Sequence, residues 1–254
     1  MSFRHLDLFS GIGGFALAAR WLGMETVGFC EIDPWARKVL NKNFPNVPIH
    51  KDVKTLKGNE YGAIDIITGG YPCQPFSTAG KNLGSDDPRH LWPEMRRVIN
   101  TAKPPWVLCE NVEGHVRNGL DEVCSEMEED GYEVEPMLIP ASSVGARQRR
   151  KRVWILAYRK GDGWRQRDKD QRGSLARTGK GEEQGSRDAF DSVWGEPLET
   201  LFGGEAYGVS DRVDRLRGLG NAIVPQVAAE ILRAMMEVDS LTNSQADTSR
   251  SDRV

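Results

Sequence analysis

At 254 residues, with 39% hydrophobic and 28% charged residues, the chain is long enough to bury one full core and has a soluble protein's composition. No apolar run approaches ~18 residues, which argues against a membrane span, and Cys30, Cys73, Cys109 and Cys124 lack the CxxC spacing of a zinc site. The net charge of −3 is unevenly spread: residues 121–133 hold seven acids and no base, while residues 147–177 hold twelve Lys or Arg against three Asp, the footprint of phosphate binding or of a solvated loop.

Residues 3–9 read as a first strand that begins at once, so no signal peptide is expected and the chain is assigned to the cytoplasm, where scattered cysteines do not build a disulfide framework. Residues 14–22 read as a helix with Phe15, Ala18, Trp21 and Leu22 inward. Between the two lies Ser10-Gly11-Ile12-Gly13-Gly14, a strand-to-helix turn where glycines let backbone and helix terminus approach a ligand. Such turns also occur without one. A second strand, 26–30, runs into Glu31-Ile32-Asp33-Pro34, and Pro34 suits the first turn of a helix over 35–43. Asp33 is the better helix cap, which leaves Glu31, 20 residues past Gly11, to hold ribose hydroxyls. A third short strand is expected over 47–53, with Asp52 at its end either as an acceptor for an adenine amino group or as a turn former.

Residues 64–67 read as a fourth, buried strand leading into Gly69-Gly70-Tyr71-Pro72-Cys73-Gln74-Pro75-Phe76-Ser77. Two glycines turn the backbone and two prolines stiffen it around one thiol. That puts Cys73 at the carboxyl edge of the sheet, where open α/β folds bind ligands, unless it is simply a buried cysteine. Residues 78–90 suit a loop that closes over substrate, and a helix follows over 91–102. Residues 106–109 form a fifth strand ending in Glu110-Asn111-Val112, on the same edge as Cys73 if the strands are parallel neighbours. An acidic amphipathic helix is expected over 117–131, then strands over 132–140 and 153–158. If the approach to Val153 is extended, Gln148, Arg150 and Arg152 share one face. Composition then divides the chain into a catalytic and cofactor-binding domain (1–158), a short, polar variable insert (159–208), a return segment with its helix over 226–238 (209–238), and a disordered tail (239–254).

Taken together, these stretches resemble a DNA (cytosine-5) methyltransferase of the bacterial or bacteriophage kind. Asp7-Leu8-Phe9-Ser10-Gly11-Ile12-Gly13-Gly14, Gly70-Tyr71-Pro72-Cys73-Gln74, Glu110-Asn111-Val112, Gln148-x-Arg150-x-Arg152 and Gly220-Asn221 stand in that family's order. The resemblance implies an α/β fold: a Rossmann-like S-adenosylmethionine-dependent methyltransferase sheet with helices on both faces, plus a small, poorly ordered recognition insert. It implies S-adenosylmethionine as cofactor, S-adenosylhomocysteine as product, and no metal. The cofactor would be held by Phe9, Gly11, Ile12, Gly13, Glu31, Ile32, Asp52, Val53, Pro72, Leu91, Asn221 and Ala222. Double-stranded DNA would be the partner of a monomer, touched by Gln74, Ser77, Gln148 and Arg152, in a bacterial nucleoid or a phage-infected host. The insert over 159–208 stands where the family keeps its target-recognition region and departs from it in being short and poor in apolar residues.

The implied chemistry explains the residue types. Cys73 would add to carbon 6 of a flipped-out cytosine and make carbon 5 nucleophilic. Glu110 would donate to ring nitrogen 3, which requires a proton and so a raised pKa. Arg150 would orient the base or its phosphate and favour the thiolate. Three rivals remain at this point: a tRNA cytosine-5 methyltransferase, a dinucleotide-dependent oxidoreductase suggested by the glycine loop and Glu31, and a non-catalytic DNA-binding protein on the same scaffold.

Overall fold

Two of the strand segments carry consecutive apolar residues, Ile66-Ile67 and Trp106-Val107-Leu108-Cys109, so both of their faces need cover and the chain folds as a sheet between helices. The computed structural model describes residues 2–72, 91–159, 218 and 221–251, with side chains through 240. Among these residues seven strands form one sheet: β1 (Arg4–Leu8), β2 (Glu25–Cys30), β3 (Ile49–His50), β4 (Ile66–Gly69), β5 (Trp106–Val112), β6 (Tyr132–Pro140) and β7 (Lys151–Arg159). Their order is β3-β2-β1-β4-β5-β7-β6. The first five are mutually parallel, and β7 runs antiparallel to both β5 and β6. The direction of winding reverses between β1 and β4, and the carboxyl ends on either side of such a reversal leave a crevice.

The helices are α1 (Gly14–Trp21), α2 (Pro34–Asn43), α3 (Trp92–Ala102), α4 (Leu120–Glu129) and α5 (Pro225–Ser251). Alternate residues of one strand enter different cores. Val107 and Cys109 of β5 pack with Val98 and Ile99 of α3 and Val123 and Met127 of α4. Trp106 and Leu108 pack with Phe15 and Ala18 of α1 and Val227 and Leu232 of α5. Helix α2 closes a third cluster, with Leu40 and Phe44 against Phe29 and Ala16. The sheet therefore carries helices on both faces, as the resemblance implied.

Four expected boundaries move, each for a local reason. The third strand shrinks to two residues because Asp52 caps a 3-10 turn over Val53–Thr55, its side chain accepting from the Lys54 amide. Glu110 lies inside β5 rather than after it, since β7 pairs along the strand as far as Val112. The helix over 117–131 is split: a 3-10 turn, Glu113–Arg117, precedes Gly119, whose φ of 97° is left-handed and starts α4 afresh. The last helix continues past 238 to Ser251, through much of the stretch expected as a disordered tail. Cys73, Gln74, Ser77, the 78–90 loop and nearly all of the 159–208 insert lie outside the described residues.

Candidate active site

A cavity of about 320 Å³ opens at the carboxyl ends of β1, β2, β4 and β5. Its first wall is the turn after β1. Phe9 takes a φ of 53°, unusual for a residue with a side chain, and the chain bends so that the Ser10 amide donates to the Cys30 carbonyl (3.1 Å) and its hydroxyl to the Asp7 carbonyl (2.7 Å). The Glu31 carboxylate joins this turn to the end of β2, accepting from the Gly11 amide at 2.6 Å and the Asp33 amide at 2.7 Å. Asp33 caps α2 through the Trp35 and Ala36 amides, with Pro34 in the first turn. Glu31 thus faces the cavity, with both oxygens held and further lone pairs to offer.

The expected residues Phe9, Gly11, Ile12, Glu31, Ile32, Asp52, Val53, Pro72, Leu91, Asn221 and Ala222 all line this cavity. Gly13 does not. Its φ is 92°, and a Cβ there would sit 2.9 Å from Leu40 and 3.0 Å from Phe44, so its glycine serves the packing of α2 behind the turn. Ser10, Trp35, Gly70 and Ile223 also line the cavity and were missed. Ser10 and Gly70 sit beside residues that had been singled out. Nothing local marks Trp35, which reaches the site because α2 begins at the tip of β2.

The second wall is charged. Glu110, on β5, is 7% exposed and also lines the cavity. Its Oε2 would lie 3.7 Å from a Cβ at Gly70, in ordinary contact with the backbone after β4. Arg152 of β7 brings its Nε to 2.9 Å from Glu110 Oε1, yet the pair is not aligned as a hydrogen bond, and Oε1 has no hydrogen-bond partner among the described residues. Burial raises the Glu110 pKa, and the guanidinium groups of Arg152 and Arg150 oppose that rise. Arg150 is half-buried and donates to the Ala222 carbonyl at 2.9 Å, tying β7's approach to the segment before α5. Arg152, expected at the DNA, is turned to Glu110 instead. Gln148 is exposed in a bend, because extended backbone begins only at Lys151, and does not share the inward face of Arg150 and Arg152. Among the described residues no cluster of three or more His, Cys, Asp or Glu is arranged to hold a metal, and no helix is long and apolar enough to cross a membrane.

A family model described as C-5 cytosine-specific DNA methylase matches residues 3–191. The chain is 38% identical over 162 residues to the Type II methyltransferase M.HgiCII of Herpetosiphon aurantiacus, across 61% of this chain and 37% of that protein. It is 38% identical over 168 residues to the Type II methyltransferase M.NgoMIV of Neisseria gonorrhoeae, across 63% of this chain and 53% of that one. Among solved structures it resembles one described as a DNA modification methyltransferase encoded within an E. coli prophage, with 30% identity and a TM-score of 0.53 over 64% of this chain and 50% of the other. The matched stretch thus spans about half or less of each relative's length.

Proposed function

Since the chain belongs to the C-5 cytosine-specific DNA methylase family, we propose that it transfers a methyl group from S-adenosylmethionine to carbon 5 of a cytosine in duplex DNA, through a covalent bond from Cys73. One observation carries the reading. A nearly buried carboxyl, ion-paired with Arg152, shares one cavity with Gly70 and Pro72, the residues that lead to Cys73 in the sequence, and with the Glu31 and Asp52 side.

The lining suits S-adenosylmethionine. Glu31 and Asp52 offer acceptors for ribose hydroxyls and an adenine amino group, and Ile12, Ile32 and Val53 offer apolar faces for the ring. Ile32 is 69% exposed and would gain cover from an aromatic ring laid on it. When bound, the cofactor supplies an electrophilic methyl group. The chain's own residues make the cytosine able to take it.

A stacked cytosine is out of reach, so the base must leave the helix, at a cost of a few kcal/mol. The Cys73 thiolate then adds to carbon 6, and the ring's electron pair moves toward carbon 5 and nitrogen 3. Glu110, whose pKa is raised by its burial, gives a proton to nitrogen 3 as negative charge builds there. The carboxylate left behind is not stranded, because the Arg152 guanidinium waits 2.9 Å away. Once carbon 5 carries the methyl group, a base removes its proton, the double bond reforms and the thiolate leaves. DNA contact is assigned to the exposed basic residues before β7, Arg147 and Arg149.

The test is direct. Purified chain, S-adenosylmethionine with a labelled methyl group, and either mixed-sequence duplex DNA or tRNA are incubated and digested to nucleosides. Label in 5-methyldeoxycytidine is expected. Label in tRNA alone, or tight NAD binding with no methyl transfer, would overturn the reading.

A further inference from the structure

Glu110 and Asn111 are consecutive in β5, so their side chains leave opposite faces of the sheet. Glu110 enters the cavity, while Asn111 points to the core formed with α3 and α4. There its amide donates to the Tyr71 carbonyl at 3.1 Å. The Tyr71 hydroxyl and His115 Nε2 lie 2.8 Å apart, and the tyrosine ring sits against Trp92 with centroids 5.1 Å apart. Trp92 in turn donates to Glu126 of α4. All four groups of this clamp are buried: Tyr71 at 3%, Asn111 at 4%, His115 at 5% and Trp92 at 2% exposure. None of them lines the cavity.

Buried polar groups are costly unless they are bonded, and a phenol bonded to an imidazole fixes both rings. Burial lowers the His115 pKa, which favours the uncharged ring in this bond. Tyr71 is followed by Pro72, which limits Tyr71 to extended backbone and stiffens the path to Cys73. Fixing the tyrosine at ring and carbonyl therefore fixes the direction in which the chain enters the nucleophile.

We propose that His115 is a positioning residue for the reaction: by holding the Tyr71 phenol from the far face of the sheet, it fixes the Tyr71-Pro72 backbone from which the chain continues into Cys73. The proposal rests on the Cys73 reading above and adds to it a residue that touches neither cofactor nor base.

The experiment measures tritium released from mixed-sequence duplex DNA tritiated at cytosine carbon 5, with S-adenosylhomocysteine present so that no methyl group is available. In this exchange the thiolate adds at carbon 6, a solvent proton adds at carbon 5, the triton leaves, and the thiolate is expelled. Tyr71→Phe removes only the hydroxyl and keeps the ring against Trp92. It and His115→Leu should each slow release roughly tenfold. The double variant should be no slower than either single one, and His115→Gln should recover most of the rate. Affinity for S-adenosylhomocysteine should stay within about twofold. Unchanged release in Tyr71→Phe, additive losses, or a parallel fall in cofactor affinity would each overturn the proposal and leave the Cys73 reading standing. If the unaltered protein releases no tritium, the Cys73 reading fails and takes the proposal with it.

Discussion

On the β1–β2 side of the cavity, position is set by backbone hydrogen bonds, whereas on the β5–β7 side it is set by buried charge. Glu31 joins the glycine turn to the end of β2 through two amides, and no second charged side chain is needed to hold it. Glu110 has the reverse surroundings: burial that disfavours its ionised form, two guanidinium groups that favour it, and one oxygen without a hydrogen bond. A surface that only binds can satisfy all of its polar groups in advance. A surface that moves a proton has to leave one of them open, and Glu110 Oε1 is such an atom, buried at the cavity without a hydrogen bond among the described residues.

Substitution on the two sides should separate these roles. The largest effect is expected at Glu110→Gln, which keeps the shape and removes the transferable proton. The rate of methyl transfer should fall about a hundredfold, with S-adenosylmethionine affinity and thermal midpoint nearly unchanged. In the unaltered protein the same rate should decline as pH rises through the raised Glu110 pKa, and the variant should lose that decline. Full activity in the variant would place the proton donor elsewhere. A smaller effect is expected at Glu31→Gln, where an amide NH₂ would face the Gly11 or Asp33 N–H. Calorimetry should show roughly tenfold weaker cofactor binding with the rate at saturation kept. A lost rate with unchanged affinity would erase the contrast between the two sides.

The smallest effect lies beneath the turn after β1. His5 is fully buried, its ring nitrogens 3.0 Å from the Thr26 hydroxyl and 2.7 Å from that of Thr68, and burial lowers its pKa from 6.5 to about 3. Unfolded chains bind this proton below pH 6.5 and the folded protein does not, so the contribution to stability is lost as pH falls from 6.5 toward 3. Asp7, bonded to the same Thr68 hydroxyl, acts with the opposite sign, because its raised pKa removes stability as pH climbs above 3.8. Comparing proteins isolates the histidine. Between pH 7 and pH 5, the stability measured by urea unfolding should fall by about 2 kcal/mol more in the unaltered protein than in His5→Gln. Equal losses would mean that the His5 ring is protonated in the fold.

The cavity's first wall was legible in the sequence because its parts are local. Gly11, Glu31 and Asp52 each stand at the end of a strand, and consecutive parallel strands bring those ends to one edge. The second wall was legible only as residue types. That Arg152 meets Glu110 depends on the antiparallel register of β5 and β7, which pairs Val112 with Arg152 and Glu110 with Trp154. Alternation could propose a shared face for residues 148, 150 and 152, but it had no means to see that extended backbone starts only at Lys151. The Tyr71–His115 bond spans 44 residues between different elements, and no periodicity marks either partner. Gly13 shows the opposite error. It completed a recognisable pattern, while its actual constraint, the side chains of Leu40 and Phe44, comes from another helix.

The most direct measurement is covalent capture. The chain is mixed with S-adenosylmethionine and a mixed-sequence duplex carrying 5-fluorocytosine, whose carbon 5 has no proton to release after methylation, and the adduct is digested and mapped by mass spectrometry. The account predicts a nucleotide bonded to the peptide at Cys73, absent from Cys73→Ser although that variant still binds S-adenosylmethionine. An adduct at another residue, or none from a protein that methylates DNA, would contradict it.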